Sequence, residues 1–473
     1  MSSSNTVHAD ADAEYWLWAS QMAGLADFND QRLNERFASV LSTFASKPVD
    51  SIPQACDSKA ESKGCYRFIS NKRVTAENLL APLVQHTVAS LRGQKTVYSI
   101  QDSTSLNFSK LESAIGLGPL NDSIYAKGLH LHTTIALRDD GLPFGLLHQH
   151  YWSRPPRTSD AKKTDHHEFP FELKESYKWM RGIRAAEAAI DSLPEADRPR
   201  LIHVGDREED IHEVLEHIHE SRHSAVIRSA QNRSVDGEIG QAHAAVSASR
   251  LIGVHILPVP ARAGKSPRTA RLELRAITVT ITPDESKHPH RRPFECTLVE
   301  AREIDPPTGI QHPLHWRLWT FEPAKNKPQI LEVLRIYTLR WRIEDFHLTL
   351  KSGCRIEHME LQAAERLIKA TILYSAVALR IVAMRDLGRL EPEAPCTIFL
   401  NTLTWQVLFA HVKKKWPDRQ TPIPTVREAI LWIGRLGGHM NRKGDGMPGV
   451  RTLWRGFRDL TLLMTGYRLA KGN

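Results

Sequence analysis

Residues 337–351 read YTLRWRIEDFHLTLK, and the spacing of their side chains guides the interpretation of the whole chain. An α-helix advances about 100° per residue, so Arg340, Glu344 and Lys351 fall within about 60° of Tyr337. A core-facing apolar stripe lies opposite, formed by Leu339, Ile343, Phe346 and Leu350. The pattern predicts one amphipathic helix whose polar face carries a phenol, a guanidinium, a carboxylate and an ammonium. The alternative is a solvated face with ordinary Arg–Glu pairing.

Composition places the chain among globular proteins of several domains. Its 473 residues suggest about three domains at ~150 residues each, and 41% hydrophobic and 25% charged residues are ordinary values. The five cysteines are scattered and form no C-x-x-C pair, which argues against a disulfide framework or a cysteine zinc site. A polar start without a secretory pattern and the lack of 18 consecutive apolar residues predict a cytoplasmic protein without membrane contact.

The charge of the chain points to a polyanionic partner. The formal net charge is +9, and residues 411–455 hold ten Lys and Arg against three Asp and Glu, a net of +7. Basic patches bind nucleic acid because neutralised phosphates release counterions. Many basic proteins bind no nucleic acid, so charge alone makes DNA only the first partner to test.

Changes in amino-acid composition and hydrophobic pattern along the chain predict its domains. Residues 1–12 resemble a disordered tail, and residues 13–92 have helical composition with basic side chains, as expected of a small DNA-binding domain. Residues 93–390 predict a mixed α/β core, with a β-rich insertion at about 228–320. Asp140-Gly141 marks a hairpin within the core. Residues 391–473 predict a helical C-terminal domain for dimerisation and DNA binding.

Three carboxylates are candidates for a shared site. Asp102 and Asp206 each end a predicted strand of the core, where α/β sheets build their sites, and Glu344 lies on the helix described above. A cluster of three acids needs a cation, and hard oxygen ligands suit Mg²⁺ or Mn²⁺, which can drive phosphoryl transfer. For either aspartate alone, a role as a turn former or helix N-cap is the favoured interpretation.

A family resemblance strengthens the enzymatic interpretation. The Y-x2-R-x3-E-x6-K spacing resembles that of DDE-class cut-and-paste insertion-sequence transposases, the group of the transposon-five transposase. IQDSTSL and VGDREEDIH resemble the segments around the first and second catalytic aspartates of that family. SKAESKGCYRFISN is similar to its DNA-binding segment, and IGRLGGHMNRK to its C-terminal region. These matches run in the same order through nearly the whole chain.

The resemblance implies a role for individual residues. Asp102, Asp206 and Glu344 would form a magnesium-binding catalytic triad, in which Mn²⁺ can substitute, on a ribonuclease-H-like core. Contacts to DNA are implied for Tyr337, Arg340, Lys351, Trp316, Arg228, Arg67, Arg32, Arg36 and Lys59. Trp316 would stack on a flipped base, although an ordinary core tryptophan is an equal alternative from the residues alone. The family has lysine where Ala230 stands, so that contact is in doubt unless Arg233 replaces it.

The implied function is DNA transposition. The resemblance implies nicking at transposon ends, hairpin formation and resolution, and strand transfer into target DNA, by a homodimer acting in the bacterial cytoplasm on the nucleoid. Two alternatives stay open: an inert DNA-binding inhibitor of transposition, and a structure-specific ribonuclease-H-like nuclease. The intact acidic triad disfavours the first alternative, and the basic N-terminal helices and β insertion disfavour the second.

Overall fold

A computed structural model describes residues 13–120, 125–155, 169–259, 267–283, 290–442 and 445–471. They form two compact units. The described parts of Met1–Arg92, Ser103–Thr164 and Arg342–Asn473 make up the first, and those of Gly93–Asp102 and Asp165–Trp341 the second. The predicted tail at 1–12 lies outside the described residues.

The first unit begins with the predicted N-terminal helices. Their bounds are α1 Ala13–Ala23, α2 Gln31–Ser46, α3 Ile52–Ala55, α4 Lys59–Ile69 and α5 Ala76–Ser90. Asp30 caps α2 by accepting the Arg32 N–H, and Thr75 caps α5 by accepting the Asn78 N–H at 3.2 Å. Such caps satisfy backbone donors that a helix start leaves without partners, so the side chains define where these helices begin.

A hairpin adds β-structure to the first unit. Strands β3 (Lys127–Leu137) and β4 (Pro143–Trp152) pair antiparallel around the predicted Asp140-Gly141 turn, where Gly141 has φ +88°. The short strand β2 (Gly118–Pro119) pairs with β3. On the other side of β3 lies the C-terminal part of β1 (Thr96–Asn107), with Ser103 Oγ 2.9 Å from His132 Nδ1. The chain therefore passes from the second unit into the first within β1.

Helices from the C-terminal third complete the first unit. They are α10 Trp341–Leu348, of which all but Trp341 belong to this unit, α11 Ala364–Leu390, α12 Thr402–Lys413, α13 Val426–Leu436 and α14 Val450–Lys471. In the core, the Tyr374 ring of α11 stacks on Phe44 of α2 at 4.5 Å. Within the described ranges, α11 alone is long and apolar enough to cross a membrane, yet 83% of its most apolar stretch is buried in the protein. Burial of this kind is typical of a core helix.

The second unit is a mixed sheet covered by helices. Its strands are β5 Arg200–Gly205, β6 Ser224–Arg228, β7 Gly253–Val259, β8 Arg268–Ile281, β9 Phe294–Ile304 and β10 His315–Thr320. With the first part of β1, their order is β1-β5-β6-β10-β9-β8-β7. Pairing is parallel for β1–β5–β6 and antiparallel for the remainder. The helices are α6 Tyr177–Asp191, α7 His212–Glu220, α8 Ala242–Ala248 and α9 Lys327–Thr338.

The prediction of one continuous helix over 337–351 is wrong. Helix α9 ends at Thr338, a turn follows at residues 339–340, and α10 begins at Trp341. Residues 349–353 then form a π-helical turn, closed by the Cys354 N–H donating to the Thr349 carbonyl. The turn arises because the Leu339 and Arg340 N–H groups bond carbonyls three residues back, which tightens the backbone. The predicted apolar stripe is nevertheless buried.

All five cysteines lie in the described part of the chain, and none forms a disulfide.

Candidate functional site

Parallel pairing brings Asp102 and Asp206 to the same edge of the second unit's sheet. The last pair between β1 and β5 joins Ile100 to Val204, and each aspartate lies two residues further along the chain. Asp206 directly follows β5, as predicted. Asp102 does not end its strand as predicted, because β1 continues to Asn107 in order to pair with β3.

Asp206 also has a local structural role. Its carboxylate accepts the Glu208 N–H at 2.8 Å and begins a single 3-10 turn at Arg207–Glu209. This is the turn-forming function that a strand-end aspartate is expected to have. A carboxylate has several lone-pair sites, so this bond leaves acceptor capacity for another ligand.

Glu209 is a buried carboxyl group beside both aspartates, and sequence reasoning missed it. It is fully buried, and its Oε1 accepts a 2.7 Å hydrogen bond from Gln101, the neighbour of Asp102. Burial raises the pKa of Glu209 to about 8; the Gln101 hydrogen bond opposes this, and the charges of Asp206 and Asp102 add to it. Both aspartates therefore lie close enough to Glu209 for their charges to affect its pKa.

Arg340 supplies positive charge to the same corner. Its guanidinium Nη1 lies 3.4 Å from Asp102 Oδ2, and its Cζ lies 5.2 Å from the centre of the Trp341 ring. Arg340 is buried, at 9% exposure, so the ion pair is shielded from much of the solvent. The pair therefore places a positive charge beside the Asp102 side chain.

Glu344 lies on α10 in the first unit, half-buried and flanked by a network of charges. Arg385 of α11 forms an ion pair with Asp345 at 2.7 Å, and its Nε donates to the buried Asp386 at 2.8 Å. Arg342 lies 3.5 Å from the same Asp386. Because these pairs join α10 to α11 on both sides of Glu344, they fix the backbone that carries it.

Metal-binding capacity can be judged from the donor set. Asp102 and Asp206 offer hard oxygens, which suit Mg²⁺ or Mn²⁺. Glu209 is fully buried against Gln101 and is not available as a third ligand. Across the described ranges, no group of three His, Cys, Asp or Glu side chains is arranged to hold an ion. Metal binding by Asp102, Asp206 and Glu344 therefore stays a prediction.

Two predicted DNA contacts of the second unit lie against each other. The Trp316 ring of β10 meets the Tyr337 ring edge-on, with centroids 6.3 Å apart. Trp316 is half-buried, while Tyr337 is buried, with 4% exposure. Arg228 ends β6, and its guanidinium donates to the His315 carbonyl at 3.5 Å.

Arg233 is committed to the interior of the second unit. Its Nε donates to Asp210 at 3.0 Å, and Asp210 also accepts the Ala230 and Gln231 N–H groups at 2.7 Å each. The Asp210 side chain is fully buried. Arg233 thus fastens the loop after β6 to the loop after β5, and its role in place of the family lysine at position 230 stays a prediction.

Lys351 lies on the π-helical turn of the first unit. Its ammonium donates to the Ser105 carbonyl of β1 at 2.8 Å and lies 3.4 Å from Glu357. Glu357 in turn accepts the Asn107 N–H at 2.8 Å. Such turns are frequent at functional sites. Here the turn orients Lys351 along the strand that also carries Asp102.

The four predicted N-terminal DNA contacts are all exposed. Arg32 and Arg36 lie on α2, and Lys59 and Arg67 on α4, two helices that pack together in the first unit. The Arg36 guanidinium crosses α4 so closely that a Cβ on Gly64 would lie 2.8 Å from its Nη1. The absence of a side chain at Gly64 thus allows Arg36 to lie over the neighbouring helix.

Two protein-family models match segments near the two ends of the chain. The model described as "Transposase DNA-binding" matches residues 16–74, and the model described as "Transposase Tn5 dimerisation domain" matches residues 376–473. The chain therefore has the DNA-binding and dimerisation domains of a transposase. The two matches support a Tn5-like transposase, in agreement with the resemblance. Asp102, Asp206 and Glu344 lie in the segment between the two matches.

Proposed function

We propose that the chain catalyses cut-and-paste transposition by metal-dependent phosphoryl transfer at the ends of its element. The observation that carries the proposal is the position of Asp102 and Asp206, which follow the last paired residues of neighbouring parallel strands and both act on the pKa of Glu209. Strand edges of this kind are where α/β folds build their sites. The transposase domains at both ends supply the substrate class.

The catalytic core is proposed to be ribonuclease-H-like. In support, β1, β5 and β6 are parallel, whereas the hairpin β3–β4 is antiparallel, so the core combines both kinds of pairing. The inserted strands β7–β10 extend this sheet before α9. This arrangement agrees with the mixed-sheet core and β-rich insertion that the family resemblance implies.

Asp102, Asp206 and Glu344 are the proposed ligands of Mg²⁺, for which Mn²⁺ can substitute. The bound ion lowers the pKa of an attacking water and stabilises the leaving oxygen. Arg340, whose Nη1 lies 3.4 Å from Asp102 Oδ2, supplies a positive charge beside this proposed ligand. The raised pKa of the buried Glu209 favours its neutral form, which limits the negative charge near the two aspartates.

The proposed reaction proceeds through ordered exchanges at phosphorus. A water oxygen bonds to the phosphorus at the element's end, and the released 3′ oxygen takes up a proton. The freed 3′-hydroxyl attacks the opposite strand and forms a hairpin, which a second water opens. The 3′ ends then attack target DNA. Each exchange breaks one P–O bond and forms another, so neither an oxidant nor a nucleotide cofactor is required.

The proposed DNA contacts form two groups, one that binds the transposon ends and one that binds DNA at the cleavage point. Transposon ends would be bound by the exposed basic side chains of α2 and α4, namely Arg32, Arg36, Lys59 and Arg67. Phosphates near the cleavage point would be held by Tyr337, Arg340, Lys351 and Arg228. Trp316 would stack on the base displaced at the hairpin, since an aromatic face binds any base.

The active form is proposed to be a homodimer that synapses two transposon ends and captures target DNA in the cytoplasm, at the nucleoid. The match to a transposase dimerisation domain over residues 376–473 supports this assembly. It also favours a transposase over a structure-specific nuclease.

A cleavage assay on the element's own terminal DNA tests the proposal. The full chain is incubated with end DNA or with a shuffled sequence, in Mg²⁺ or in EDTA. A transposase nicks only the end DNA and only with the metal. Binding without nicking would identify the inert relative, and cleavage governed by DNA structure rather than sequence would identify a nuclease.

A further inference from the structure

Glu300 is a buried acid of β9 that holds three polar side chains. It is 1% exposed, and it accepts hydrogen bonds from His315 Nε2 at 2.8 Å, Arg317 Nε at 2.8 Å and Ser247 Oγ at 3.0 Å. Burial alone would raise the pKa of Glu300, but the bonds from His315, Arg317 and Ser247 lower it to about 2. At neutral pH it is therefore a fully ionised carboxylate with several donors.

The two strongest donors bracket Trp316. His315, Trp316 and Arg317 are consecutive residues of β10, paired in register with Arg302, Ala301 and Glu300 of β9. Side chains alternate across a strand, so the two donors lie on one face and the Trp316 ring on the other. On that other face the ring meets Tyr337. One carboxylate thus fastens the backbone on both sides of the tryptophan.

The contacts of Glu300 act at the start of β10, directly after Leu314, which exchanges hydrogen bonds with Glu303. His315 is the first residue of β10, and the preceding residues 305–314 form no helix or strand. Strand ends fray when few contacts hold them. Arg228 bonds the same His315 carbonyl, so the anchored segment also supports a second proposed DNA contact.

We infer that Glu300 is a positioning residue for Trp316: it fixes His315 and Arg317 so that the indole between them is held ready for the displaced base. The inference rests on the proposed base-stacking role of Trp316. Errors of about 1 Å in the position of a reacting group can cost about 100-fold in rate. Loosening β10 should therefore affect hairpin formation, where the base is displaced, and spare the first nick.

The variant Glu300→Gln keeps the shape and removes the charge. The full chain with Mg²⁺ is assayed on end DNA, and nicked and hairpin products are counted separately. We expect the nicking rate to stay within about twofold and the hairpin rate to fall about tenfold or more. The fluorescence of 2-aminopurine at the displaced base should lose the quenching that stacking on Trp316 causes.

Glu322→Gln is the matched control. Glu322 is also a buried acid next to β10, paired with Arg200, but it lies six residues beyond Trp316. Loss of that pair should lower stability without changing the ratio of hairpin to nick. A fall in this ratio for Glu322→Gln equal to that for Glu300→Gln would show that general loosening of the sheet is responsible and would overturn the inference.

The variant Trp316→Ala tests the base-stacking role of Trp316 separately from the positioning role of Glu300. If it leaves the hairpin rate unchanged, the base-stacking role fails. If it lowers the hairpin rate and Glu300→Gln does not, Glu300 is not a positioning residue, while the proposed function stands. Should Glu300→Gln fail to fold, His315→Ala replaces it, because His315 is exposed and its truncation removes one arm of the cluster. A several-fold fall in the hairpin rate is then expected, and an unchanged rate would contradict the inference.

Discussion

A methyl group added at Gly205 should disturb the corner of the sheet that carries Asp102 and Asp206. Gly205 is the last residue of β5, and a Cβ there would lie 2.9 Å from Glu209 Cβ and overlap the Glu209 carboxylate. The side chain of Glu209 would have to leave its buried position and its 2.7 Å bond from Gln101. Gly205→Ala therefore tests whether this packing supports the site.

The expected cost has two parts. Overpacking a well-filled interior costs about 1–3 kcal/mol. Leaving a buried hydrogen-bonding group without its partner costs about another 1–3 kcal/mol. Alanine lowers the conformational entropy of the unfolded chain relative to glycine, which stabilises the folded state by about 0.4–1 kcal/mol. Gly205→Ala should thus lower the free energy of unfolding by about 1–5 kcal/mol. The displacement of Glu209 should also lower the Mg²⁺-dependent nicking rate.

Urea unfolding followed by tryptophan fluorescence measures the loss, and the end-nicking assay measures the activity. Binding to transposon ends should be kept, because α2 and α4 belong to the other unit. Gly466→Ala is the control: this glycine lies within α14 with open space around it, so alanine should be neutral or should stabilise by up to about 1 kcal/mol. Unchanged unfolding and nicking in Gly205→Ala would refute the reasoning.

Three further changes give separate tests. The pKa of Glu209 is raised from 4.5 to about 8, so the unfolded chain loses this proton at a lower pH than the folded chain. The free energy of unfolding should therefore fall by up to about 5 kcal/mol as pH rises from about 4.5 to 8. Urea unfolding across this range should show a smaller fall for Glu209→Gln, and an equal fall in both proteins would contradict the raised pKa of Glu209. Arg233→Ala leaves the buried Asp210 without its cation and should cost about 3–5 kcal/mol, whereas a loss below about 1 kcal/mol in urea unfolding would show that the pair does not anchor the loop. Gly64→Ala should displace the Arg36 guanidinium and weaken binding to end DNA in a mobility-shift assay, and unchanged affinity would argue against Arg36 as a contact.

The sequence predicted local elements well where one signal dominates. The apolar run before Asp206 identified β5, and Asp140-Gly141 identified the β3–β4 turn. The helix at 337–351 was predicted wrongly near its start, because helical periodicity does not reveal the tight turn at residues 339–340. Arg340 was interpreted as part of a polar face, but it turns inward to Asp102, 238 residues away along the chain.

Buried acids were the main omission from the predicted site. Glu209 stands in the acidic run DREED, which is typical of a solvated helix start, and its partner Gln101 is 108 residues away. Glu300 depends in the same way on Ser247, 53 residues away. A charged residue can be predicted to be buried only when its hydrogen-bond partners are known. These partners are distant in sequence, and only the folded structure shows which residues they are.

The most direct test of the central claim compares Glu344→Ala with the unaltered chain on the same end DNA in Mg²⁺. A mobility-shift assay measures end binding, and gel analysis measures nicking. If Asp102, Asp206 and Glu344 together carry out the chemistry, the variant binds ends with the affinity of the unaltered chain and makes no nick. Persistent nicking, or equal loss of binding and nicking, would contradict the assigned role.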